Sequence, residues 1–174
     1  MEMQRFVDKV ALVTGGANGF GRGLTEQLVK EGAKVVIFDI EDDTMEEVFG
    51  DNDDVVCMHC DVRDYDRVQE CVKEIIERFG RIDILMNNAG TVCRQSFLEC
   101  TKEGWLEVID TNLNGVFYVA QAVARTMVEL GVQGHILNVS SNSSRTTISN
   151  VTPYPPSKSA VKMLTQTMAR ELAE

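Results

Sequence analysis

The chain has 174 residues, with 17 Lys and Arg against 27 Asp and Glu, which gives a formal net charge of -10. This charge repels phosphate backbones and anionic membranes, so neither nucleic acid nor a membrane surface is expected as a partner. The hydrophobic fraction of 44%, with no apolar run long enough to span a membrane and no leader-like start, favours one globular domain over residues 1–174 and a cytoplasmic location.

The five cysteines, at positions 57, 60, 71, 93 and 100, do not point to disulfides or to a metal site. Their odd number, in a chain without secretory signals, predicts reduced thiols. The stretch "CMHC" at 57–60 lies on a predicted strand, which places Cys57 and His59 on one face and Cys60 on the other. Ligands divided between two faces cannot close around one ion, so no metal is expected.

Predicted strands and helices alternate along the whole sequence. The helix at 64–80 opens on Asp64, a good capping residue, and places Val68, Val72 and Ile75 on one face. The predicted strands cover 9–15, 33–39, 54–60, 81–90 and 134–141, and the predicted helices cover 19–31, 41–48, 64–80, 103–131 and 155–174.

Parallel neighbours in a sheet need crossover connections, and the predicted helices supply them. The sequence therefore predicts an α/β fold with a doubly wound parallel sheet, Rossmann-like, in three α/β/α layers. Ligands bind such sheets at the carboxyl ends of the strands. The residues that follow each strand are therefore the candidates for a site.

A glycine-rich turn, "TGGANGFGRG" at 14–23, joins the first strand to the first helix. Gly15, Gly19 and Gly21 allow a tight turn and a close approach to a pyrophosphate, which the amides and dipole of a helix amino terminus attract. A purely structural turn is the alternative. Asp39 ends the second strand, where a carboxylate can accept hydrogen bonds from the adenosine ribose hydroxyls, although it could instead cap a helix.

Asp39 also bears on the choice of dinucleotide. A 2'-phosphate would meet Asp39 and the acidic segment "EDDTMEE" that begins at 41, and the glycine turn offers Asn18 in place of a basic residue. NAD is therefore preferred over NADP. Asp61, after the third strand, could accept from the adenine amino group, and "NNAG" at 87–90 is small enough to lie beside a cofactor; each of these could also be ordinary turn chemistry.

These motifs, taken together in chain order, resemble the short-chain dehydrogenase/reductase family, in its main single-domain branch. The resemblance implies hydride transfer between a nicotinamide ring and a secondary alcohol or ketone carbon, on a single NAD(P)-binding domain. The residues that carry the resemblance are Thr14, Gly15, Gly19, Gly21, Asp61, Asn87, Asn88, Ala89, Gly90, Asn112, Ser141, Tyr154 and Lys158. The resemblance assigns to the cofactor Thr14, Gly15, Asn18, Gly19, Phe20, Gly21, Asp39, Asp61, Val62, Asn88, Ala89, Gly90, Tyr154 and Lys158.

The proposed chemistry accounts for Tyr154 and Lys158. Alcohol oxidation needs a base for the hydroxyl proton, and a phenol with its ordinary pKa is a poor base at neutral pH. An ammonium about 5 Å away at an effective dielectric near 20 favours the phenolate by about 3 kcal/mol. The four-residue spacing places the two side chains on one face of a helix. By resemblance, Lys158 also binds the nicotinamide ribose.

Two neighbouring pairs leave a choice of residue. Ser141 is expected to donate a hydrogen bond to the substrate oxygen, with Ser140 as the competing candidate; the thirteen-residue interval to Tyr154 favours Ser141. By resemblance, Asn112 holds a water that relays protons, which leaves Asn114 as a polar packing residue.

Two features depart from the family pattern. Pro155 and Pro156 lie between Tyr154 and Lys158, and a residue before proline is pushed out of helical conformation, so the helix is expected to begin at Pro155 or Pro156 with the Tyr154 ring displaced. Family members also continue through two further parallel strands, so the fold is expected to lack its C-terminal strands after the sixth helix. An exposed apolar sheet edge would follow. We expect the 174 residues to be part of a longer enzyme; the alternative is a naturally short protein with impaired catalysis.

The sequence indicates only the broad chemical class of the substrate and a possible oligomeric partner. Four loop residues suggest a small polar alcohol or carbonyl substrate, such as a polyol or hydroxy acid, although solvation of the protein surface would explain them equally well. The resemblance suggests a homo-oligomer paired through 103–131 and 155–174. A catalytically silent dinucleotide-binding module and a structural protein without a cofactor remain the alternatives. The loop residues are Arg94, Asn142, Arg145 and Asn150.

Overall fold

The computed structural model describes residues 4–173, which form five strands and six α-helices. Residues 1–3 and 174, including the last position of the predicted 155–174 helix, lie outside the described residues. The strands are β1 (Val10–Thr14), β2 (Lys34–Asp39), β3 (Val55–His59), β4 (Ile84–Asn87) and β5 (His135–Asn138). The helices are α1 (Gly19–Lys30), α2 (Asp42–Phe49), α3 (Tyr65–Phe79), α4 (Lys102–Ile109), α5 (Val116–Glu129) and α6 (Tyr154–Glu171).

The five strands form one parallel sheet in the order β3-β2-β1-β4-β5. The chain runs outward from β1 through β2 to β3, and then crosses to the other side of β1 to add β4 and β5. The strand order therefore reverses between β1 and β4, and a crevice at the carboxyl ends of these two strands is where such sheets bind ligands. The predicted doubly wound, Rossmann-like sheet is confirmed.

Both faces of the sheet are covered by helices. On one face, Leu12 and Phe38 belong to a buried cluster with side chains of α3 and α5. On the other face, Val13 and Ile37 belong to a second cluster with Leu28 of α1 and side chains of α2. Because side chains alternate along a strand, strands buried on both faces are apolar at nearly every position. The three-layer prediction follows from that composition.

The predicted helix at 103–131 is interrupted. α4 ends at Ile109, a π-helical segment covers Asp110–Gly115, and α5 begins at Val116. A Cβ added to Gly115 would lie 2.7 Å from Cγ2 of Val62, so this turn packs closely against the segment after β3. The wide turn also contains Asn112, whose side chain is fully buried. Single π turns of this kind occur often at functional sites.

The sheet edge at β5 is partly open. Its side chains alternate between exposed and half-buried, and Leu137 is exposed. A cavity of about 690 Å³ lies beside this strand, between the ends of α5 and α6. Within residues 4–173, no helix is both long and apolar enough to cross a membrane.

Candidate active site

A cleft of about 460 Å³ opens at the carboxyl ends of β4 and β5. Its walls come from three parts of the chain: the segment after β4, the segment after β5 and the first turns of α6. The predicted site residues Asn88, Gly90, Tyr154 and Lys158 line this cleft, together with Ser140. Residues that are far apart in sequence are therefore brought to one edge of the sheet, as the strand-end argument predicted.

Helix α6 begins at Tyr154, which corrects the expectation that it begins at Pro155 or Pro156. Pro153 precedes the helix with helical backbone angles, and the amide of Ser157 donates to the Pro153 carbonyl at 3.2 Å. Amides in a first turn have no partner within the helix, so the amide that each proline lacks is not missed there. The preference of a residue before proline is overcome at Tyr154, which keeps its position one turn before Lys158.

Lys158 is close to Tyr154 and almost completely buried. Its ammonium lies 5.9 Å from the centroid of the Tyr154 ring, and the residue is only 4% exposed. The ammonium donates to the carbonyl of Val139, just after β5, at 2.9 Å. Burial disfavours the charged form and lowers the pKa of Lys158 below its ordinary value. This pair provides a phenol with a fixed neighbouring cation.

Ser140 and Ser141 have different hydrogen bonds. The Ser140 hydroxyl donates to the carbonyl of Lys158 at 3.0 Å, which ties the end of β5 to α6. The Ser141 hydroxyl accepts from the amide of Ser143 at 3.1 Å, at the start of a short 3-10 helix. Accepting that bond leaves the Ser141 proton available for a ligand, whereas the Ser140 proton is already used.

Asn112 ties together two walls of the cleft. Its side-chain oxygen accepts from the Thr91 amide at 2.7 Å, and its side-chain nitrogen donates to the Thr91 carbonyl at 2.9 Å and to the Ser157 hydroxyl at 3.2 Å. The Ser157 hydroxyl donates in turn to the carbonyl of Tyr154 at 2.7 Å. The predicted packing residue Asn114 bonds to Asp110 at 2.8 Å.

The glycine turn between β1 and α1 has the close packing that its sequence predicted. Gly15 and Gly19 have positive φ angles of 64° and 52°. A Cβ added to Gly21 would lie 1.9 Å from the carbonyl oxygen of Gly15, so no other residue fits there without displacing the turn. The Asn88 side chain donates to the carbonyls of Thr14 and Gly15, both at 3.1 Å, and joins this turn to the cleft.

The turn also leaves room for a ligand. A Cβ added to Gly19 would have no heavy atom within 4 Å, and Asn18 does not cap α1 with its side chain. Phe20 is 84% exposed at the start of the helix. The Thr14 hydroxyl accepts from the amides of Asn88 and Ala89, both at 3.0 Å, so it braces the turn against the residues after β4. An uncapped helix amino terminus beneath an open, glycine-lined turn fits a pyrophosphate group.

Asp39 lies at the end of β2, beside the glycine turn. Its carboxylate accepts from the Ala17 amide at 3.0 Å and from the Ile40 amide at 2.8 Å. The residue that precedes α2 is Glu41, so Asp39 occupies a turn and not the cap position of that helix. The carboxylate is half-buried and remains within reach of a ligand on the turn.

Asp61 and Val62 follow β3. The Asp61 carboxylate pairs with the guanidinium of Arg63 at 2.6 Å, and this hydrogen bond lowers the pKa of Asp61. Val62 is buried against Gly115, as described above. Both residues therefore stand at the same edge of the sheet as the glycine turn.

The "CMHC" stretch does not assemble a site. Cys60 belongs to the core on the α3 and α5 side, whereas Cys57 packs against the core on the opposite side. His59 pairs with Asp42 at 2.9 Å. Among residues 4–173, no group of three or more His, Cys, Asp or Glu side chains could hold a metal ion.

The family of the chain follows from comparison of its sequence with models of known protein families. A family model described as short chain dehydrogenase matches residues 9–174. The chain belongs to the short-chain dehydrogenase family. Its members are oxidoreductases that use nicotinamide cofactors. The geometry of the glycine turn and of the cleft agrees with the binding of such a cofactor.

Individual short-chain dehydrogenases agree with this assignment. Sorbitol dehydrogenase of Cereibacter sphaeroides is 36% identical over 169 residues, which cover 97% of this chain and 66% of that protein. The solved structure of a short chain dehydrogenase from Bacillus anthracis has a TM-score of 0.92 at 34% identity, over 95% of this chain and 68% of that one. A solved structure of NAD+-bound xylitol dehydrogenase has a TM-score of 0.92 at 29% identity, over 97% of this chain and 66% of that one. The chain spans about two thirds of the length of these proteins.

The sequence did not reveal several residues that hold the site together. Ser157 lies inside the Tyr154–Lys158 interval and links Tyr154 to Asn112, and Thr91 follows "NNAG" directly. Gln95 accepts from the amide and the hydroxyl of Thr152, at 3.3 and 3.1 Å. Ser157 and Thr91 lie within or next to recognised motifs, whereas nothing in the sequence distinguishes Gln95. Of the four loop residues predicted to border the substrate, Arg94 lines the cleft, whereas Asn142, Arg145 and Asn150 are not among its lining residues.

Proposed function

We propose that this chain carries the nucleotide-binding and catalytic residues of an NAD-dependent oxidoreductase that interconverts a small secondary alcohol and the corresponding ketone. The observation that supports this most is the Tyr154–Lys158 pair at the start of α6, in a cleft joined through Asn88 to the glycine turn. Residues of the glycine turn would hold a nicotinamide cofactor, which would supply the hydride acceptor for oxidation and the hydride donor for reduction.

Each residue has a distinct role in the proposed reaction. Tyr154 takes the hydroxyl proton of the alcohol in oxidation and returns it in reduction. The Lys158 ammonium, 5.9 Å from the Tyr154 ring, stabilises the phenolate. Ser141 donates a hydrogen bond to the substrate oxygen, since its hydroxyl proton is not used in holding the fold. Asn112 acts as a positioning residue, because it donates to the Ser157 hydroxyl, which in turn donates to the Tyr154 carbonyl.

The proposed cofactor is NAD rather than NADP. The Asp39 carboxylate, which accepts from the Ala17 amide of the glycine turn, would lie against a 2'-phosphate and repel it. Nearby basic groups are already paired, Arg22 with Glu26 and Arg63 with Asp61. The NAD+-bound xylitol dehydrogenase provides a structural relative with the same cofactor.

Cofactor titration tests this proposal directly. We expect NADH to bind at least about tenfold more tightly than NADPH, because a single close charge repulsion of about 1.4 kcal/mol gives that ratio. Asp39→Asn should reduce the difference in affinity between NADH and NADPH, because it weakens NADH binding and relieves the repulsion of NADPH. Equal affinities for the two nucleotides in the wild-type chain would contradict the NAD assignment, and no binding of either would remove the nucleotide proposal altogether.

Lys158→Met should separate activity from stability. We expect kcat/KM to fall about 100-fold, since the cation's interaction with the phenolate is worth about 3 kcal/mol. Thermal stability should change little, because two effects oppose each other: the variant loses the hydrogen bond to the Val139 carbonyl, but it also removes a buried charge, and this burial lowers the pKa of Lys158. The folded protein therefore carries a cost for holding this ammonium at all pH values below its pKa. Thermal unfolding and steady-state kinetics measure the two effects.

Lys162→Met is the matched control for Lys158→Met. It removes the same charge one turn further along α6, at an exposed position. It should leave both kcat/KM and the unfolding temperature near the wild-type values. If both lysine variants retain wild-type kcat/KM, Lys158 has no part in the mechanism.

The homo-oligomer and the cytoplasmic location stay predictions. Exposed apolar side chains on α5 and α6 are what a second copy would bury, and they are Phe117, Val128 and Met163. For the substrate, the sorbitol and xylitol dehydrogenases by their names act on polyols, which agrees with the predicted polar alcohol.

A further inference from the structure

Arg94 places a cation at the candidate active site. It follows β4 by seven residues and lines the same cleft as Tyr154 and Lys158. Its side chain is exposed and has no hydrogen bond or ion pair with any residue between 4 and 173. Five of the other nine arginines pair with a carboxylate, as Arg63 does with Asp61 and Arg81 with Asp83, but Arg94 is the arginine that lines the cleft. The guanidinium of a residue that lines a cleft can provide donors for a ligand.

The segment that carries Arg94 is held on both sides. The Thr91 backbone is bonded to Asn112 through two hydrogen bonds, of 2.7 and 2.9 Å. The carbonyl of Gln95 accepts from the amide and the hydroxyl of Thr152, two residues before Tyr154. The Gln95 side chain accepts from the Thr101 amide at 3.0 Å. Arg94 is therefore anchored between the catalytic helix and the end of β4, as a specificity residue requires.

The charge of the cleft is opposite to that of the whole chain. The chain has a formal net charge of -10, but the charged residues that line the cleft are Arg94 and Lys158, and no Asp or Glu of the described residues lines it. Positive groups concentrated in a cleft attract an anion. Lys158 already donates to the Val139 carbonyl, so Arg94 is the cation with free donors.

Two other polar side chains of the cleft, those of Asn88 and Ser140, have donors that the protein already uses. Asn88 donates to the carbonyls of Thr14 and Gly15, and the Ser140 hydroxyl donates to the carbonyl of Lys158. Both side chains are therefore already engaged within the protein. A polyol needs several free donors and acceptors, whereas a carboxylate can be bound by one guanidinium with two parallel hydrogen bonds.

We propose that Arg94 binds the carboxylate of the substrate, so that the substrate is a short hydroxy acid and the product its oxo acid. This inference rests on the proposed dehydrogenase function. Oxidation moves a hydride from the carbinol carbon to the nicotinamide and the hydroxyl proton to Tyr154; the carboxylate is unchanged. The apolar side chains of Val92, Ile148 and Val151 line the remaining wall and suit a short hydrocarbon part.

The test uses pairs of substrates that differ only in charge: lactate against lactamide, and β-hydroxybutyrate against its amide. We expect the wild-type chain to favour the acid in at least one pair. Arg94→Gln should reduce the ratio of kcat/KM for acid over amide by about 10- to 100-fold, as loss of a charged hydrogen-bonded pair does. KM for NAD should not change. An unchanged acid-to-amide ratio would overturn the proposal, and so would an effect confined to KM for NAD, because Arg94 would then serve the cofactor.

Two controls separate this inference from the proposed function. Arg145→Gln makes the same charge change at an exposed residue that does not line the cleft, and it should keep the wild-type ratio. Calorimetric titration of β-hydroxybutyrate into the chain, with and without NADH, needs no turnover. Binding that Arg94→Gln abolishes, in a chain with no dehydrogenase activity, supports Arg94 as a carboxylate site and removes the catalytic proposal. No binding by the wild-type chain overturns the carboxylate site itself.

Discussion

Tyr154→Phe should lower kcat for oxidation of secondary alcohols by about 1,000-fold, while the affinity for NADH stays at the wild-type value. The expected loss is that of a general acid–base group, which contributes between about 100- and 10,000-fold. Phenylalanine retains the ring that packs at the start of α6 and near Lys158, so the change removes the hydroxyl and little else. Steady-state rates on a panel of secondary alcohols, with NADH titration beside them, measure both quantities.

Tyr118→Phe is the matched control. Tyr118 lies in α5 and its ring packs edge-to-face against Tyr65, with ring centroids 5.3 Å apart, away from the cleft. Loss of that hydroxyl should leave kcat unchanged. If Tyr154→Phe and Tyr118→Phe oxidise alcohols at equal rates, Tyr154 is not the acid–base group. A wild-type chain that binds NADH but oxidises no alcohol would instead favour the catalytically silent module.

The sequence predicted the parts of the fold that depend on local pattern. The helix expected at 64–80 is α3, and the Asp64 side chain accepts from the Arg67 amide at 3.0 Å, as a cap does. The apolar face of Val68, Val72 and Ile75 is buried. The central strands β1 and β2 are buried at nearly every position, which their unbroken apolar runs indicated. In these elements, the capping residues and the pattern of burial indicate the same structure, so the local sequence is sufficient to predict it.

The parts that the sequence did not predict depend on distant contacts. Helix α6 begins at Tyr154 although two prolines follow, and the preceding Thr152 is bonded to Gln95, 57 positions earlier. The π-helical segment is another case, since its Asn112 bonds to Thr91 and Ser157. A sequence window around either element contains none of these partners. Tertiary bonds outweigh the local preference in both places.

The sequence also predicted some parts of the candidate site and not others. Strand ends converge in a parallel sheet whatever the side chains are, so the meeting of Gly15, Asn88 and Lys158 at one edge followed from topology. The choice between Ser140 and Ser141 stays a prediction: Ser140 lines the cleft and Ser141 does not, but the Ser140 hydroxyl donates to the Lys158 carbonyl, a contact that no spacing rule contains.

The glycine turn allows the sharpest test of the nucleotide site, because two glycines on one helix differ in their surroundings. Gly21→Ala should weaken NADH binding by about 10- to 100-fold and lower thermal stability. Its Cβ would lie 1.9 Å from the Gly15 oxygen and 2.7 Å from the Asn88 side-chain nitrogen. Relieving that overlap must displace the Gly15 carbonyl, which is itself an acceptor for Asn88. Forced overpacking costs about 1–3 kcal/mol, and here the displaced atoms belong to the proposed pyrophosphate site.

Gly23→Ala distinguishes this effect from a general intolerance of substitution in α1. A Cβ added to Gly23 would have no heavy atom within 4 Å, and alanine in a helix is favoured over glycine by up to about 1 kcal/mol. This variant should therefore bind NADH as the wild type does and unfold at an equal or higher temperature. If Gly21→Ala and Gly23→Ala bind NADH equally well, the nucleotide does not depend on the close approach of Gly21 to Gly15. The pyrophosphate would then bind elsewhere than at this turn. A loss of NADH affinity in Gly21→Ala alone would instead show that the cofactor binds at the junction of β1 and α1.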